Sequence, residues 1–63
     1  MKDVFEKLKL KPRVEITLAT GKTIGGSIIE VNEHSVGINT GDTVEYFSYR
    51  YIESVKEVKM PKK

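Results

Sequence analysis

The sequence predicts a small, mainly β domain in which a short N-terminal helix precedes five short strands that form a small barrel. Three observations carry this. Val14, Ile16 and Leu18 alternate with Glu15 and Thr17 at the two-residue period of a half-buried strand. Thr20-Gly21-Lys22, Asn32-Glu33-His34 and Thr40-Gly41-Asp42 are turn signals that cut the chain into short β-branched and aromatic runs. Gly25-Gly26 falls inside the second of these runs, where glycine weakens a strand but permits a sharp bend or a close backbone approach. A short sheet bent this strongly can close on itself.

The elements follow in order. Asp3 is placed to cap a helix within residues 1–12, with Val4, Phe5, Leu8 and Leu10 as its apolar stripe and Pro12 as its stop. Two turns of helix are marginal in water, so this one must dock. The barrel is expected over residues 13–58. Its strands run through Val14–Leu18, Thr23 to Asn32 with the bend at Gly26, Ser35–Asn39, Thr43 to Tyr49, and Ile52 to Val58. Gly21 supplies the positive φ that the first tight turn requires. Ile52, Val55 and Val58 stand three apart, a spacing that suits a helix as well as a strand. Arg50-Tyr51 reads as a connector, and residues 59–63 as a basic tail.

Sixty-three residues make one domain, 1–63, and a chain this short buries a small fraction of its surface. With no cysteine and one histidine it can form neither a disulfide nor a Cys/His zinc site within one chain, which leaves oligomerisation as a stabiliser. No metal and no cofactor are expected. The charged, alternating start has no apolar run of signal-peptide length, and no segment approaches membrane-spanning length. The expectation is a cytoplasmic protein without a membrane partner. The net charge of +2 is unevenly spread: residues 1–13 and 56–63 carry +3 each, and residues 14–55 carry −4. Basic ends suit a rim that faces nucleic acid, and equally suit solvated lysines.

In this order the residues resemble the Sm-like family, closest to its bacterial Hfq branch. The first motif of that family reads here as Val14, Ile16, Leu18, Gly21, Gly26, Ile28, Val31-Asn32 and His34. The second, a Tyr-Lys-His followed by Ile-Ser, is similar to Tyr49-Arg50-Tyr51-Ile52-Glu53-Ser54 with one residue fewer. Asn32 stands where the family has an acidic residue, His34 where it has a stacking aromatic, and Val36 where eukaryotic and archaeal relatives have a base-reading asparagine. The resemblance implies a strongly bent five-stranded open barrel (Sm-like, SH3-like) behind the helix. It also implies a homo-oligomeric ring of five to seven subunits, with the fourth strand of one subunit paired to the fifth of the next. Such a ring covers the exposed strand edges.

The function this implies is non-catalytic binding of single-stranded RNA rich in uridine or adenine. The candidate RNA-binding residues are Asn32, Glu33, His34, Arg50 and Tyr51. In the ring the two segments that carry them come from neighbouring subunits and face one pore. His34 is suited to stacking on a base, Arg50 to a phosphate or base edge, and Tyr51 to a hydroxyl contact or second stacking face. Phe47 and Tyr49 read as packing residues. The alternative is a ring used as a protein-interaction module without RNA. Catalysis is not expected, because no carboxylate pair is spaced for acid/base work and no serine has an evident base. Gly21-Lys22-Thr23 ends like a phosphate-binding loop, but Ile16 stands where the first glycine belongs, and a strand follows in place of a helix.

Overall fold

The computed structural model describes residues 1–59, so Met60 to Lys63 of the expected tail lie outside the described residues. Helix α1 spans Lys2–Leu8, and the strands are β1 (Val14–Leu18), β2 (Thr23–Val31), β3 (Ser35–Asn39), β4 (Val44–Ser48) and β5 (Ile52–Glu57), with a 3₁₀ turn at Tyr49–Tyr51 before β5. All pairings are antiparallel, in the order β4-β3-β2-β1-β5. The sheet does not close: β4 and β5 are its two unbonded edges. No helix among the described residues is long and apolar enough to cross a membrane.

The bend sits where the glycines predict it. Strand β2 pairs with β1 through Thr23 to Gly26 and with β3 through Ser27 to Val31, so Gly26 is the last residue before the strand changes partners. It is buried, and a Cβ there would collide with the Asn39 carbonyl oxygen and stand 2.8 Å from Ile38 Cγ2. Gly21 and Gly41 hold positive φ, +92° and +104°, in the turns after β1 and β3.

Two bulges explain the apolar spacing. Glu53 is the extra residue where β5 passes from Ser54 opposite Thr17 to Ile52 opposite Leu18, so Ile52 and Val55 both reach the core side although three apart. That settles β5 as a strand. Ile29 is likewise extra in β2, between Ile28 opposite Ile38 and Glu30 opposite Gly37, which brings Ile28 and Val31 to one face. The core is Phe5, Val14, Ile16, Ile28, Val36, Ile38 and Ile52.

The helix is shorter than its sequence pattern suggests. Met1 occupies the cap position without a side-chain capping bond, and Asp3 lies in the first turn, where a carboxylate complements the helix dipole. The helix stops at Leu8, whose carbonyl accepts from the Lys11 amide at 3.0 Å. Leu10, beyond that end, is 91% exposed and Val4 is also exposed, so the docking stripe is reduced to Phe5 and Leu8. Full burial of Phe5 contributes about 1.5–3 kcal/mol to holding the two turns on the sheet.

Candidate nucleic-acid interface

The turn between β2 and β3 and the 3₁₀ turn before β5 meet side by side within a single chain, rather than only across a subunit boundary. Asn32 closes the first turn by donating its amide to the Ser35 carbonyl at 2.8 Å, and its side-chain Nδ2 lies 3.4 Å from Ser35 Oγ. Tyr49 then ties three elements together. Its amide donates to the His34 carbonyl at 3.0 Å, and its hydroxyl donates to the Asn32 carbonyl at 2.6 Å. Its ring stacks on Phe5 of α1, with centroids 5.5 Å apart and an 18° interplanar angle. Burial raises the pKa of this phenol, so it stays a neutral donor.

This clamp creates an open depression of about 470 Å³ lined by His34, Ser48, Tyr49 and Arg50. No family model, curated protein or solved structure matches this chain. What the depression can do therefore follows from its own residues. An exposed imidazole and an exposed guanidinium flank a half-buried aromatic ring and a hydroxyl. That combination suits a planar group with an anionic substituent better than an apolar ligand.

Of the five residues singled out from the sequence, His34 and Arg50 line the depression. Asn32 and Glu33 border it: Asn32 is engaged in the turn, and the Glu33 carboxylate accepts from Lys2 Nζ at 3.2 Å. That hydrogen bond and the accompanying charge attraction raise the Lys2 pKa, and the lysine offsets the acid beside the depression. Tyr51 does not line it. Its carbonyl accepts from the Ala19 amide at 2.8 Å, on the β1 side, and the residue is 63% exposed. Ser48 and Tyr49 were missed as lining residues. Tyr49 does pack, as its place in an aromatic strand suggests, but it also lines the depression together with His34 and Arg50.

A second feature lies across β2, β3 and β4. Tyr46 lays its ring against Gly37, where a Cβ would stand 2.8 Å from the ring, and donates its hydroxyl to Glu30 Oε1 at 2.8 Å. The Glu30 bond raises the pKa of this phenol, whose residue remains 56% exposed at the β4 edge. Among the described residues, no group of three His, Cys, Asp or Glu side chains is arranged to hold a metal ion.

Proposed function

We propose that this chain is a ring-forming, Sm-like RNA-binding protein that takes single-stranded uridine- or adenine-rich RNA without catalysis. The observation that carries the reading is the convergence of His34 and Arg50 on one open depression with an aromatic wall. The depression offers a face for a base and a charge for a phosphate. The open sheet supports the ring, because β4 and β5 each leave a row of backbone groups that a second copy can satisfy. Five to seven copies arranged this way set the depressions around one pore. One observation favours the other reading, a ring that serves as a protein-interaction module: Tyr49 is already committed to Phe5, Asn32 and His34, which leaves His34 as the one freely exposed ring of the depression.

Fluorescence anisotropy with short oligo-uridine and oligo-adenine at two salt concentrations separates the two. His34→Ala is expected to remove a stacking contact of ~1–3 kcal/mol, a loss of roughly five- to 150-fold in affinity. Arg50→Ala is expected to weaken binding and to flatten the salt dependence by about one phosphate contact. Both variants should keep the mass of the wild-type oligomer in light scattering. Wild-type protein with no affinity for either oligonucleotide at low salt would leave the interaction-module reading in its place.

A further inference from the structure

The two open edges carry enough information to fix how they would meet. In an antiparallel sheet, residues whose backbone groups face one neighbour alternate with residues that face the other. In β4, the bonds from the Tyr49 amide to the His34 carbonyl and from the Thr40 amide to the Thr43 carbonyl set the phase. Thr43, Glu45, Phe47 and Tyr49 face β3, so Val44, Tyr46 and Ser48 present their amides and carbonyls to the open edge. In β5, the bond from the Val58 amide to the Arg13 carbonyl turns Ser54, Lys56 and Val58 toward β1. Val55 and Glu57 are left to face the other open edge.

A hydrogen-bonded pair across the junction must join one residue from each open set. Three antiparallel registers do this with Val55 opposite a residue of β4, namely Val44, Tyr46 or Ser48; a fourth, with Glu57 opposite Ser48, carries Val55 past the end of β4 and keeps a single bonded pair. The three differ in the closely spaced pairs that fall between the bonds. With Val55 opposite Ser48, Phe47 faces Lys56, Glu45 faces Val58, and Tyr46 meets Glu57 although its hydroxyl already serves Glu30. With Val55 opposite Val44, Glu45 faces Ser54 and the overlap is shorter. With Val55 opposite Tyr46, an aromatic ring meets an apolar side chain and Glu45 faces Lys56, a charge-complementary pair. Glu45 is exposed and makes no ion pair among the described residues. Lys56 bonds Glu15 at 3.4 Å with a side chain 72% exposed, so its ammonium can lie between two carboxylates.

We infer that β4 of one copy pairs antiparallel with β5 of a second copy of this chain in the register that sets Tyr46 opposite Val55 and Glu45 opposite Lys56. The inference rests on the ring reading above and adds to it which residues meet. An antiparallel junction extends the pattern of the whole sheet and is slightly more stable per residue than a parallel one.

The chain has no cysteine, so introduced pairs report without background. Glu45→Cys is combined in turn with Ser54→Cys, Lys56→Cys and Val58→Cys. Each combination places the thiols at a closely spaced pair in one of the three registers, within disulfide reach. Full-length variants are sized by light scattering under reducing conditions, then oxidised and run on a non-reducing denaturing gel. The expected result is an oligomeric mass for all three and a covalent ladder of several subunits for Glu45→Cys/Lys56→Cys alone. A ladder from Ser54→Cys or Val58→Cys in its place, or no ladder from an intact oligomer, would overturn the register and leave the ring standing. A monomeric mass for the wild type would overturn both.

Discussion

Replacing Gly26 with alanine adds one methyl group at the corner where β2 leaves β1 for β3. That methyl would press on the Asn39 carbonyl, which belongs to the β3 backbone, and on Ile38 Cγ2 at 2.8 Å. Ordinary contact begins near 3.4 Å, so Ile38 would have to withdraw by about 0.6 Å inside a core that is close-packed on its other sides. Overpacking of this kind costs about 1–3 kcal/mol, against which the removal of a mid-strand glycine returns about 0.5–1 kcal/mol. The neighbouring glycine is the control. The nearest atoms to a Cβ on Gly25 are those of the Arg13 guanidinium, at 2.6 Å and beyond, a flexible end that can swing away. Gly25→Ala should therefore be neutral or slightly stabilising, and Gly26→Ala should lower stability by about 1–2 kcal/mol. In a domain of this size that corresponds to a drop in Tm of roughly 5–15 °C. Thermal unfolding by far-ultraviolet circular dichroism, at one fixed protomer concentration because assembly shifts Tm, reads the difference directly. Equal melting temperatures for the two variants would refute the assignment of Gly26 to the corner.

Two further perturbations test the packing around the depression. Phe5→Ala removes the fully buried anchor of α1 and should cost about 3–5 kcal/mol, enough in so small a domain to abolish the cooperative transition in a urea titration. Tyr49→Phe should cost about 0.5–1.5 kcal/mol at neutral pH, through loss of the hydroxyl bond to the Asn32 carbonyl. Burial raises the Tyr49 pKa above the unfolded value of 10.0, so the stability tied to the neutral phenol is complete below pH 10 and fades as pH rises through the folded value. Urea midpoints should therefore fall more steeply above pH 10 for the wild type than for Tyr49→Phe. The comparison is needed because Tyr46, raised by its bond to Glu30, adds a slope of the same sign to both proteins. Parallel curves would show that Tyr49 ionises as freely in the fold as outside it.

The strands were legible because their signals are local. Alternation in Val14 to Leu18 and the glycines at 21, 26 and 41 each act within a few residues, and the structure places turns and bend where those residues stand. The three-residue spacing of Ile52 and Val55 was ambiguous because its cause is a bulge against Leu18, a pairing made across most of the chain. Leu10 misled for a related reason: its apolar character fits the helical stripe, but the helix ends before it and no other element among the described residues covers it. At the depression, charge and turn composition pointed to His34 and Arg50. Tyr49 was only half understood, since its two hydrogen bonds are to backbone carbonyls, which side-chain identity does not reveal.

The strand order also bears on how the chain assembles itself. β1 to β4 are joined by connections of three or four residues, whereas β5 returns to β1 across about 34 residues. Closing that longer loop costs roughly 2 kcal/mol more conformational entropy than closing a hairpin of four residues. Connectivity thus favours a meander of three hairpins that forms first and a fifth strand that arrives last, with near-zero φ-values expected in β5. Until it arrives, the outer side of β1 is an open template, and another chain's β5 can add there by mistake in place of the chain's own. Refolding yield should therefore fall with protein concentration most steeply in variants that delay β5, even where the finished fold is no less stable.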